Sequence, residues 1–85
     1  MKIIFSDKAK KEFLKLDKAI QKQIKNFLTK LSNIDDPKSR GKALVGNLAD
    51  FWRYRVGNYR LLCRIIENEL VIVVVEVGHR SEIYK

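Results

Sequence analysis

The stretch Phe51-Trp52-Arg53-Tyr54-Arg55-Val56-Gly57-Asn58-Tyr59-Arg60-Leu61-Leu62 decides the fold of this 85-residue chain. It reads as two strands joined by a two-residue turn. Strand alternation puts Trp52, Tyr54 and Val56 on one face, and Arg53 and Arg55 on the other. Gly57-Asn58 is a tight-turn dipeptide whose glycine takes the positive φ needed at the first central position. With Val56 and Tyr59 flanking the turn, the register pairs Arg55 with Arg60, Tyr54 with Leu61, Arg53 with Leu62 and Trp52 with Cys63. Like charges directly opposite each other destabilise a sheet, by roughly the 0.2–1 kcal/mol that favourable pairs contribute. Folding gains nothing from stacking Arg53, Arg55 and Arg60 on one face. A phosphate-bearing ligand does, because a guanidinium offers a planar fork of donors to phosphate oxygens.

Working outward, the helices come before this hairpin and one long strand after it. Lys2 to Ser6 reads as a short strand with Ile3 and Phe5 on one face, and Ser6 caps a helix beginning at Asp7. Ala9, Phe13 and Leu16 recur at helical spacing. A second helix follows with Asp17 as its N-cap, and Ile20, Ile24, Phe27, Leu28 and Leu31 form its apolar stripe. Two such stripes need a sheet to bury them. Asn33 to Lys42, with Asp35-Asp36-Pro37 and Gly41, reads as an exposed loop, and Lys42 to Asp50 as a turn leading into the sheet. The sheet runs through 51–56, 59–67 and 70–77, with Glu67-Asn68-Glu69 as its second turn. Leu70 to Val75 is apolar throughout, as in a strand that is central or covered on both faces. The expected architecture is α+β, in the order β-α-α-β-β-β, with a helical hairpin on a small, mostly antiparallel sheet. Residues 1–85 make one domain, large enough for a modest core.

Composition narrows the class further. Apolar residues make up 46% of the chain and alternate with charge, which excludes a disordered tail. A single cysteine, Cys63, precludes an internal disulfide and fits a reducing cytoplasm. No signal peptide precedes the first strand, and the apolar run at Leu70–Val75 is too short to span a bilayer, so no membrane role is expected. No His/Cys cluster, Walker loop or glycine-rich dinucleotide fingerprint occurs, so neither a metal nor a cofactor is expected.

The net charge of +8 points to a polyanionic or acidic partner. Its distribution is more telling. Every basic residue from Lys2 to Lys30 is lysine, whereas all the arginines come later. Between Lys38 and Arg64 seven basic residues face one acid, Asp50, so the anion-binding surface belongs on the sheet and the helices form a solvated layer. Beyond the hairpin, His79 is the only histidine and adjoins Arg80 at a strand end near the arginine face; its ordinary pKa near ~6.5 suits proton donation. Tyr84 either docks on the core or serves the site by stacking or proton donation. Glu76 either pairs with a basic residue or orients His79. Trp52, Tyr54 and Cys63 belong to the core.

The pattern Trp52-Arg53-Tyr54-Arg55-Val56-Gly57-Asn58-Tyr59-Arg60-Leu61, followed by Val77-Gly78-His79-Arg80 and Ile83-Tyr84, resembles the RelE branch of the RelE/ParE toxin superfamily. Length and element order match over essentially the whole chain. The resemblance implies a toxin of a type II toxin–antitoxin system, acting as a ribosome-dependent endoribonuclease on messenger RNA. Its chemistry is metal-independent attack of a ribose 2′-oxygen on the adjoining 3′-phosphate, with a cognate antitoxin and the ribosome as partners. The toxin–antitoxin complex is expected to be hetero-oligomeric. On matching positions, Arg60, Arg80, Tyr84 and Arg55 take catalytic roles and Arg53 binds substrate. Outside the matched positions, His79 joins the catalytic candidates from its place at the strand end, and Lys42 joins the substrate-binding ones. Arg64, which continues the arginine face without motif support, either binds substrate or serves as a surface or antitoxin contact. Arg53 and Arg55 stand where the family often carries lysines, and an always-protonated arginine is a poorer general base. The alternatives are a ParE-like DNA gyrase inhibitor acting by protein binding, and a catalytically inactive member that only binds antitoxin.

Overall fold

The computed structural model describes residues 1–43 and 51–79. The element order is β1 (Lys2–Phe5), α1 (Asp7–Leu14), α2 (Lys18–Ser32), β2 (Lys42–Ala43), β3 (Phe51–Val56), β4 (Tyr59–Ile66) and β5 (Val71–His79). The strands form one sheet in the order β1-β5-β4-β3-β2, in which β1 runs parallel to β5 and the other pairs are antiparallel. This is the expected α+β arrangement with one addition. Lys42 and Ala43, expected in a turn, form an edge strand opposite Arg53 and Trp52. The gap at Gly41 explains why: a Cβ there would lie 2.8 Å from both the Arg53 carbonyl oxygen and the Tyr54 ring, so only glycine lets the chain come this close to β3.

The helices cover one face of the sheet. Ile24, Leu28 and Leu31 of α2 are buried with Ala9 and Phe13 of α1 against Tyr54, Val56, Leu61, Cys63, Ile72, Val74 and Val77. Ile20, Phe27 and Leu16 pack against this core from its margin. Ser6 caps α1 as expected, accepting the Ala9 N–H at 3.1 Å. Asp17 occupies the cap position of α2, but its side chain makes no capping bond. The loop before β2 is less exposed than its polar sequence implies. Pro37 is buried in a short 3₁₀ turn, and its carbonyl accepts the Tyr54 hydroxyl at 2.8 Å.

The hairpin register is the one expected from sequence: Val56 with Tyr59, Arg55 with Arg60, Tyr54 with Leu61, Arg53 with Leu62 and Trp52 with Cys63. Gly57 takes φ +58°, while Asn58 keeps negative φ, the φ pattern of a II′ turn. The second connection is a 3₁₀ turn, Glu67–Glu69, closed by Leu70 in the left-handed region at φ 56°. β5 differs most from its expected form, since one face is buried and the other is half-exposed. It also carries an irregularity. Leu62 pairs with Glu76 but Cys63 pairs with Val74, so Val75 is an extra residue. Without that bulge, the alternation that buries Ile72 and Val74 would turn Glu76 into the core. With it, Val77 is buried instead and Glu76 shares the face of Leu62.

Candidate nucleic-acid interface

The basic face is built by strand parity. Tyr54, Leu61 and Val77 point into the core, so their neighbours in each strand point away from the helices. Three cross-strand rows result. One runs Lys42, Arg53, Leu62, Glu76; the next Arg55, Arg60, Gly78; the third Phe51, Arg64, Val73. Lys42, Arg53, Arg55, Arg60 and Arg64 therefore share one surface. Lys42, Arg55 and Arg64 are exposed, whereas Arg53 and Arg60 are half-buried, and the Arg60 Nε is withdrawn from solvent. Directly opposed residues have Cβ atoms about 4.5–5.5 Å apart, so the Arg55 and Arg60 side chains leave the sheet as neighbours, with Arg55 Nε donating to the Gly57 carbonyl at 3.5 Å.

Two features of the face escape a sequence reading. Gly78, which has no side chain, pairs with Arg60 and is itself buried, so the backbone beside the arginine pair is covered. Glu76 is the one acid among the described strand residues of this face, and its carboxylate is taken by Lys8 Nζ of α1. That ion pair resolves the two roles left open for Glu76 and raises the Lys8 pKa, chiefly through its hydrogen bond to Glu76. The i, i+4 spacing of Lys8 and Glu12, whose charged groups lie 3.8 Å apart, was a visible signal in the sequence, but it gave no hint of Glu76.

His79 is not brought to the arginines. Because Gly78 pairs with Arg60, His79 pairs with Tyr59 on the helix-side face, and the two rings meet edge to face at 5.6 Å. Parity, one residue out from the expectation, accounts for the difference. Arg80 and Tyr84 lie outside the described residues, as does the expected turn at Gly46-Asn47. Trp52 is half-buried beneath Lys38, whose Nζ lies 5.4 Å from the ring centroid, so it is not a free base-stacking platform. Burial pushes the Cys63 thiol up to about 12, which makes it an inert core group and not a nucleophile. No group of three or more His, Cys, Asp or Glu side chains among the described residues is placed to hold a metal ion. No described helix is long and apolar enough to cross a membrane.

A family model described as the ParE toxin of the type II toxin–antitoxin system parDE matches residues 3–84. The chain belongs to that family. Within it, the resemblance is to RelE toxins. A putative RelE-like toxin protein of Escherichia coli is 37% identical across 94% of this chain and 85% of its own length. The mRNA interferase toxin RelE of E. coli K12 is 30% identical over the same shares. Among solved structures, the toxin–antitoxin complex RelBE2 of Mycobacterium tuberculosis contains a chain that matches with TM-score 0.84 and 32% identity, covering 93% of this chain and 96% of that one. The isolated E. coli RelE toxin matches at TM-score 0.76 and 28% identity, over 98% of this chain and 89% of its own. The protein is a RelE-type toxin of a type II toxin–antitoxin system.

Proposed function

We propose that this toxin is an endoribonuclease that cuts messenger RNA on the ribosome. The observation that carries the reading is the opposed pair Arg55 and Arg60, flanked by Arg53, Lys42 and Arg64 and bordered by Gly78. In-line attack forms a bond from the ribose 2′-oxygen to phosphorus and breaks the bond to the 5′-oxygen of the next nucleotide. One proton leaves the 2′-hydroxyl and one arrives at the departing 5′-oxygen. Negative charge grows on the non-bridging phosphate oxygens, which is where fixed guanidinium donors stabilise the transition state. Arg60, half-buried and in register with Gly78, is the principal donor, with Arg55 beside it; Arg53, Arg64 and Lys42 hold the flanking phosphates. Arg80 and Tyr84 complete the set from the C-terminal tail, Tyr84 as proton donor or base-stacking group. His79 takes second place as an acid because it packs on Tyr59.

One basic face cannot by itself align a flexible strand for in-line attack, so the ribosome supplies the alignment. The toxin is neutralised in the cytoplasm by a cognate antitoxin in a hetero-oligomeric complex, as RelBE2 forms a toxin–antitoxin complex. The +8 charge calls for an acidic antitoxin segment lying over the arginine face or the 78–85 tail. Cleavage of one message, naked and ribosome-bound, tests the proposal: rapid cutting is expected only on the ribosome, and equal rates on both overturn it. The ParE description of the matching family favours a second reading, inhibition of DNA gyrase by protein binding. Primer extension on cellular RNA after induction separates the two, because a gyrase inhibitor leaves no discrete cuts.

A further inference from the structure

The sheet edge next to the arginine face is lined by a helix. β1 pairs with β5 only as far as Phe5 opposite Val74, so among the described residues no strand pairs with the outer edge of β5 from Val75 onward. This segment holds the bulge at Val75 and includes Gly78, the residue beside Arg60. A bulge disrupts the ladder locally, so the strand beyond it relies on other contacts to hold its register. α1 and its N-cap Ser6 supply hydrogen-bond partners along this edge. The Ser6 N–H donates to the Val74 carbonyl at 2.9 Å, the Ser6 hydroxyl donates to the Val75 carbonyl at 3.2 Å, and the Val77 N–H donates to Glu12 Oε1 at 3.0 Å. Lys8 bridges Glu12 and Glu76, so the two carboxylates on either side of it share one cation.

We infer that Glu12 is a positioning residue for the arginine face, its carboxylate holding the bulged end of β5 in the register that sets Gly78 beside Arg60. The hydrogen bond from Val77 falls one residue before Gly78 and two after the bulge. It therefore fixes the short stretch whose slip by one residue would exchange Gly78 for a side chain beside Arg60. A carboxylate acceptor suits this task, since a hydrogen bond to a charged group stabilises more than a neutral one. Lys8 contributes by drawing Glu76 aside, which keeps that carboxylate from competing with a phosphate for the neighbouring arginines. The catalytic consequence rests on the proposed function; the register consequence does not.

Amide hydrogen exchange followed by NMR on the full chain tests the register claim. In Glu12→Ala, exchange at Val77 should accelerate about tenfold or more, matching the loss of one charge-assisted hydrogen bond, while Ile24 and Leu61 keep their protection. Glu12→Gln should retain most of the Val77 protection, because its amide oxygen still accepts. Unchanged exchange at Val77 in Glu12→Ala overturns the inference, and so does acceleration spread evenly over α2 and β4. A Glu12→Gln variant as labile as Glu12→Ala overturns it too, by assigning the effect to the Lys8 ion pair. In single-turnover cleavage of ribosome-bound message, Glu12→Ala should lower the saturated rate about tenfold at unchanged half-saturation, with recovery in Glu12→Gln. Wild-type cleavage with no loss in Glu12→Ala breaks the link to the site. Absence of any wild-type cleavage sinks the proposed function alone and leaves the exchange result to decide the role of Glu12.

Discussion

At the scale of single residues, the arginines divide by burial. Arg60 is half-buried and sits in the row with Arg55 and Gly78, so its side chain is restrained at the place where the proposed function puts the scissile phosphate. Arg60→Ala should cost on the order of 100-fold in single-turnover cleavage, the loss typical of removing one preorganised donor to a developing oxyanion. Arg53, a row away beside Lys42, should act on docking: Arg53→Ala raises half-saturation and leaves the saturated rate nearly intact. Measuring both constants for both variants checks the division, which fails if Arg60→Ala changes only binding. Leu70 makes a separate prediction about stability. It is 64% exposed and held at φ 56°, a conformation that costs a β-carbon-bearing residue about 1 kcal/mol or more. Asparagine tolerates that conformation better, so Leu70→Asn should raise Tm by roughly 4–8 °C in a domain of this size. A fall in Tm would mean that the remaining apolar contact of Leu70 outweighs the strain.

At the scale of elements, the hairpin was legible in full and its neighbours only in part. Alternation around Gly57-Asn58 specifies every pair from Phe51 to Arg64, because a two-residue turn leaves a single register. The apolar stripe of α2 and the Ser6 cap were equally plain. β5 was not, because a run of five apolar residues after Leu70 carries no period to reveal a bulge, and Glu76-Val77 marks the phase change only in retrospect. The same extra residue reverses the parity of the strand beyond it and turns His79 to the helix side. The Lys42–Ala43 strand was hidden because its cause is the close approach at Gly41, a tertiary effect. The core beneath the hairpin gives a pH prediction. Burial raises the Cys63 pKa from its ordinary 9.0 to about 12, and burial also raises that of Tyr54, which donates to Pro37. Both groups are neutral in the fold and ionise more readily when unfolded. Their stabilising contribution is therefore complete below pH 9 and is lost as pH rises from 9.0 toward 12. Thermal unfolding between pH 8 and 11 should show Tm falling across that window, and Cys63→Ala should flatten the fall between pH 9 and 10, where the thiol titrates first. An equally steep fall in Cys63→Ala would remove the thiol from the account.

At the scale of the whole molecule, charge is sorted by residue type as well as by position. Lysines such as Lys11, Lys18, Lys22 and Lys25 line the exposed side of the helices, while Arg53, Arg55, Arg60 and Arg64 occupy the opposite face of the sheet. The helical lysines are hydrated point charges on flexible stems; the arginines are planar forks held by strand register. Both layers attract a polyanion at long range, but only the sheet has the closely spaced, fixed donors that suit a phosphate chain. Binding of a single-stranded oligonucleotide with 2′-deoxy sugars, which cannot be cut by 2′-oxygen attack, separates the two contributions. Each phosphate neutralised on a single strand adds about −0.7 to the slope of log K against log salt, so Lys42, Arg53, Arg55, Arg60 and Arg64 together should give roughly −3.5. Each alanine substitution on the sheet face should make the slope shallower by about 0.7. Substitutions of Lys18, Lys22 or Lys25 should leave it unchanged. A slope that responds to the helical lysines and ignores the arginines would move the nucleic-acid interface to the other side of the molecule, and the opposed pair Arg55 and Arg60 would lose its functional explanation.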